Sequence, residues 1–183
     1  RNTMSDRQDH GFEAYPYRRL EDGRYDLDQW NDEYWARFER FLQWTEAREI
    51  VVQIEVWDRF DHSQQQWEAN PYRPTNNLNY STESSGLRDN YPAPAWRDKQ
   101  PFFHTIRGMP LYDKRLGIVR NYQERFVLKM LSFSLPYGHV LYCMNNETST
   151  PPQWGRHWIS LVEREAAEPG VSVFCTDMFN DGY

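Results

Sequence analysis

Asn145-Asn146-Glu147 directly follows an apolar run, His139-Val-Leu-Tyr-Cys-Met144. If that run is a strand of a parallel sheet, the triplet stands at its C-terminal edge, where such folds collect ligands and catalytic groups. A carboxylic acid there, beside an amide and against apolar walls, can have its pKa raised and act as general acid and base. The competing reading is a polar turn, with Thr148 or Ser149 opening the next helix. Other carboxylates have weaker claims. Glu55 lies inside an apolar run, where an arginine partner would account for it. Asp58, Asp61 and His62 form D-x-x-D-H, a spacing that suits either a cation or a solvated turn. Asp177 and Asp181 follow the last apolar run and would face the same edge, with nothing to select one of them.

Around these groups lie rings and amides. Apolar faces of sugar rings stack on Trp and Tyr, while Asn, Asp and Arg read hydroxyl groups. Trp57, Trp154, Trp96, Asn76 and Asn77 all follow apolar runs and would sit on the same rim. Trp67, Phe102 and Phe103 are expected to pack a long loop instead. Other chemistries find no support, because G-x-S-x-G, P-loop and G-x-G-x-x-G patterns are absent. The five histidines show neither H-x-H nor H-E-x-x-H spacing, and no metal or cofactor is expected. Cys143 and Cys175 sit in apolar segments and read as buried thiols, although a bridge between neighbouring strands stays open.

The elements that must position these residues alternate. Residues 1–5 could end a strand, with a polar loop over 6–23. A helix is expected over 29–48, capped by Asp28, with Trp30, Tyr34, Phe38, Phe41, Leu42 and Thr45 inward. Residues 50–57 are rich in β-branched side chains and read as a strand. The stretch 58–110 is loop in composition but heavily ringed, which points to an ordered functional loop. A helix over 112–135 ends at Pro136-Tyr-Gly138. A strand over 139–144, a helix over 153–168 and a strand over 171–175 complete the order. This β-α-β-α-β-α-β alternation implies a parallel α/β sheet of about four strands and three helices, with the long loop after the second strand. It could be a small doubly wound sheet or part of a (β/α)8 barrel; a whole barrel needs about 250 residues.

The chain has 183 residues, a length suited to a single domain over 1–183. The net charge of −6 attracts neither nucleic acid nor an anionic membrane surface, and no apolar run reaches the roughly 20 residues of a membrane span. Residues 1–10 are polar throughout, unlike a secretory leader. Aromatic residues make up 16% of the chain, too many for disorder and enough to carry much of the burial.

With the strand-helix-strand context in place, VLYCMNNET resembles the fourth strand of the retaining (β/α)8 glycoside hydrolases of the cellulase-like clan. The resemblance implies Glu147 as acid/base and Asn146 as the group that holds the sugar 2-hydroxyl. Arg1 resembles the arginine those enzymes carry on their second strand. YDLDQWNDEYWARFERFLQWTEAREIVVQIEVW is similar to their second helix and third strand, and GVSVFCTDMF to their fifth strand. The resemblance thus spans strands two to five of a partial TIM barrel. Where many members carry a His after the third strand, Asp58 follows Trp57 here, and His62 comes four residues later. The clan's nucleophile, a Glu after the seventh strand, has no counterpart in this stretch, although retaining hydrolysis needs two carboxyl groups about 5–5.5 Å apart. The resemblance implies a carbohydrate partner, here a β-linked saccharide, and an extracellular or periplasmic setting. A catalytically silent sugar-binding or self-assembling module is the alternative, since a half-barrel leaves open edges for the missing half or a second copy.

Overall fold

The structure is a computed structural model that describes residues 14–62, 64–90, 100–146 and 150–178. Arg1, Trp96, Glu147 and Asp181 lie outside the described residues, as does the strand expected over 1–5.

The described chain opens with a hairpin, β1 (Tyr17–Arg19) and β2 (Tyr25–Trp30), paired antiparallel. The reading of 6–23 as loop missed it. Asp22-Gly23 closes the turn, and Gly23 takes φ +86°, a conformation glycine adopts without strain. Because β2 runs to Trp30, helix α1 (Asp32–Glu46) starts later than expected, and its N-cap is Asn31 rather than Asp28. The Asn31 side chain accepts from the Glu33 backbone N–H at 3.2 Å. Asp28 instead pairs with Arg125. The inward face turns accordingly. Trp35 and Leu42 are buried, whereas Phe41 is 41% exposed. The Trp35 indole donates to the Pro16 carbonyl at 3.0 Å and stacks on Phe133, tying hairpin and helix to the core.

The main sheet has three parallel strands, β3 (Val52–Asp58), β4 (Val140–Asn146) and β5 (Phe174–Thr176), in that order. Between β3 and β4 lie two short helices, α2 (Gln64–Ala69) and α3 (Thr82–Ser85), and the long helix α4 (Gly117–Ser134). Helix α5 (Pro152–Ala167) joins β4 to β5. Sequence neighbours are therefore spatial neighbours: α1 packs on α4 and α4 on α5, in the same order as the strands. The fold class is α/β with a parallel sheet, as the alternation implies, and the described strands form an open sheet. Polar ties join the helices to it. Thr45 of α1 meets His139 at 2.9 Å, and Ser134 of α4 meets the Tyr142 hydroxyl at 2.8 Å. Burial pushes the Tyr142 phenol up to about 12.

β4 is the central strand, buried at Val140 and from Tyr142 to Asn145, as a strand flanked on both edges should be. Exposure collects elsewhere in the sheet, at Gln53, Phe174 and Thr176. The stretch 58–110 is built from short helices and 3-10 turns where it is described. Asparagines hold it together. Asn70 donates to the Asp61 carbonyl at 2.7 Å, and Asn79 accepts from the Leu27 N–H at 2.8 Å, fastening the loop to β2.

Phe126 of α4 is fully buried against Trp35 and Trp57, so Phe126→Ala should lower unfolding free energy by about 3–5 kcal/mol. Trp44 is 63% exposed, and Trp44→Ala should change it by no more than about 0.5 kcal/mol. Urea denaturation of the two variants measures the contrast.

Candidate functional site

The C-terminal edge of the sheet brings β3, β4 and β5 together. In the β3–β4 ladder Trp57 faces Asn145 and Asp58 faces Asn146. In the β4–β5 ladder the last pair is Cys143 and Thr176, so Asp177 stands one residue past it. Helix α5 enters after Pro151, with Pro152 at its first position, where a fixed φ and a missing N–H cost nothing. That entry places Trp154 in the first turn, back against the strand ends. Its indole N–H donates to Asn145 Oδ1 at 2.8 Å, and Asn145 Nδ2 donates to Asp177 Oδ1 at 2.5 Å. Trp154 and Asn145 are fully buried, and Asp177 is half-buried. Burial holds the Asp177 carboxyl above the usual carboxylate range, and the Asn145 hydrogen bond pulls the other way.

Gly155 makes room for this carboxyl. A Cβ on Gly155 would lie 2.0 Å from Asp177 Oδ2, so no other residue fits here unless Asp177 moves. Glycine inside a helix costs about 1 kcal/mol relative to alanine. Gly155 therefore sacrifices helix stability to admit a partly desolvated acid. Sequence reasoning weighed Asp177 without selecting it, and nominated neither Asn145 nor Gly155. The available signal was the glycine after Trp154 in a helical pattern, which marks a close approach.

The expected ring platforms are placed differently. Trp57 is 0% exposed, with ring centroids 5.1 Å from Trp158, 5.5 Å from Phe102 and 5.6 Å from Phe126. Trp154 is equally covered and lies 5.4 Å from Phe103. Both are core, because the loop returns through the turn Pro101–His104 and lays Phe102 and Phe103 over the strand ends. A ring enclosed by other rings offers no face to a sugar, so Trp57 and Trp154 do not act as stacking platforms in this conformation. Trp67, Phe102 and Phe103 pack the loop as expected.

His62 is enclosed as well. It stacks on Phe102 with centroids 3.9 Å apart, and Gln100 donates to its backbone carbonyl. Its Nδ1 lies 2.9 Å from the Asp58 carbonyl. A carbonyl only accepts, so the neutral ring carries its proton on Nδ1. Asp58 and Asp61 are buried beside it rather than solvated. Among the described residues no group of three His, Cys, Asp or Glu side chains is arranged to hold a metal ion. Asn76 and Asn77, expected to read hydroxyls, serve the loop itself. Asn76 Nδ2 donates to the carbonyls of Glu68 and Asn70, and Asn77 Nδ2 to those of Pro71 and Arg73. Asn77 Oδ1 accepts from the N–H groups of Asn79 and Tyr80, which engages its amide completely. Asn146 remains half-buried at the edge, next to Asn145. Cys143 and Cys175 are free thiols, not a bridge.

Comparison with protein-family models, with curated proteins and with solved structures found no match for this chain.

Burial lowers the His62 pKa from its ordinary 6.5 to about 4. Between those values the unfolded chain binds a proton that the folded chain refuses, so this group's contribution to stability is lost as pH falls through that window. The full loss amounts to about 3 kcal/mol. Asp177, raised by burial, works in the opposite sense. Chemical denaturation from pH 7 to pH 4 should therefore show a steeper decline for the wild type than for His62→Asn, which keeps a donor for the Asp58 carbonyl. Parallel profiles would contradict the buried neutral histidine.

Proposed function

We propose that the chain is the part of a retaining glycoside hydrolase barrel that spans its second to fifth strands, acting on a β-linked saccharide. The observation that supports this most directly is the singly wound order of the sheet, β3-β4-β5, with helices in the same order. The C-terminal edge of that sheet also carries Asp58, Asn145, Asn146 and Asp177 on three consecutive strands. In this reading Asn146 donates to the sugar 2-hydroxyl. Glu147, the next residue, protonates the leaving glycosidic oxygen and then removes a proton from the attacking water. The nucleophilic carboxylate comes from a strand outside these four.

General acid–base catalysis contributes about 10²–10⁴ in rate. In the complete barrel, Glu147→Gln should lower hydrolysis of a β-linked oligosaccharide by that factor while sugar binding persists. Undiminished turnover would remove Glu147 from the role.

A second reading, a sugar-binding or self-assembling module without hydrolysis, is favoured by the exposed side of the sheet. Phe174 on β5 is 66% exposed, and β3 and β5 each pair with one strand only among the described residues. Parallel sheets are ordinarily covered on both faces. This reading expects concentration-dependent association by sedimentation, and quenching of tryptophan fluorescence by saccharides without release of reducing ends. A strictly monomeric chain that cleaves its ligand would exclude it.

A further inference from the structure

We infer that Asp177 is a substrate-binding residue whose carboxylate accepts a hydroxyl of the bound saccharide at the end of β5. The inference rests on the saccharide reading above and adds to it a residue and a contact. Three observations carry it. The carboxyl is anchored from inside the protein, through the fully buried Trp154 and Asn145: Trp154 Nε1 donates to Asn145 Oδ1, and Asn145 Nδ2 to Asp177 Oδ1. Helix α5 carries a glycine at the one place where a Cβ would strike Asp177 Oδ2, at 2.0 Å. Among the described residues, Asn145 is also the only hydrogen-bond donor that Asp177 meets. One carboxylate oxygen is thus held in place, and the other accepts from no group among the described residues. A partly desolvated carboxylate held through one oxygen and not fully engaged is a strong acceptor for a neutral hydroxyl. It sits one residue past the last β4–β5 pair, on the strand next to Asn146.

A purely structural role would be to fasten β5, whose ladder is only three residues long. Asp177→Asn separates the two roles. An asparagine oxygen still accepts from Asn145, so the fastening survives while the negative charge is lost. Calorimetric titration of the full chain with cellotetraose, mannotetraose and xylotetraose, from pH 4 to pH 8, reads the difference. In the wild type, affinity for at least one probe should rise as the carboxyl ionises. In Asp177→Asn it should fall by about tenfold or more, as for loss of a hydrogen bond to a charged group, and become flat with pH. Wild-type affinity and pH dependence in the variant would overturn the assignment and leave the saccharide reading standing. Failure of the wild type to bind any of the three would overturn both. If the variant does not fold, the ¹³C resonance of the Asp177 carboxyl in the wild type decides. It should shift on sugar addition, and a resonance unmoved at saturation would overturn the assignment.

Discussion

One stack of rings determines where everything at the sheet end can go. Trp57 leaves β3 into a cluster with Phe102 from the loop, Phe126 from α4, and Trp154 and Trp158 from α5. These rings have no aliphatic substitute of comparable area, and they come from four separate parts of the chain. Remove the cluster and the loop, both long helices and the strand ends lose their common surface. Edge-to-face and tilted pairs of this kind add directional preference to simple burial. The loop is therefore held by what it brings, since Phe102, Phe103 and His62 form its inner side.

The same stack sets the chemistry of its margin. Trp154 belongs to the rings through its faces and to the polar edge through its N–H. Asn145 carries that polarity outward to Asp177, so the margin changes from dry aromatic to half-exposed acid within two hydrogen bonds. His62 lies on the dry side, and its imidazole stays neutral because burial outweighs its single hydrogen bond to the Asp58 carbonyl. Asp177 lies on the wetter side, where burial only raises its carboxyl.

Much of this was legible in the residues. A short segment rich in β-branched residues located β3, and the strands β4 and β5 followed from the apolar segments 139–144 and 171–175. The helix periods located α4 and α5 within a few residues. The hairpin was missed because Tyr17, Tyr25 and Leu27 are interrupted by charges, so its short strands lack a clear alternation. The start of α1 was misplaced because Asp28 and Asn31 are both sound caps locally, and Arg125, nearly a hundred residues away, takes the first of them. Burial of Trp57, Trp154 and His62 could not be read locally either. Whether a ring after a strand faces solvent depends on where Phe102 and Phe103 return, and that is a contact between distant segments. Asn76 and Asn77 were ambiguous for a similar reason, since the same amide that reads a hydroxyl also satisfies a loop carbonyl.

An indole can give a proton to a hydrogen bond but has no lone pair to receive one. Trp154 therefore dictates the sense of the whole polar line. It compels Asn145 to turn its oxygen inward and its NH₂ outward, and that NH₂ compels Asp177 to present a lone pair at Oδ1. When Asp177 takes up a proton, Oδ1 is thus disfavoured and the proton belongs on Oδ2, the atom beside Gly155. The acid is thereby given a handedness: its two oxygens are chemically distinct, one the acceptor for Asn145 and the other the atom that carries the proton when the group is neutral.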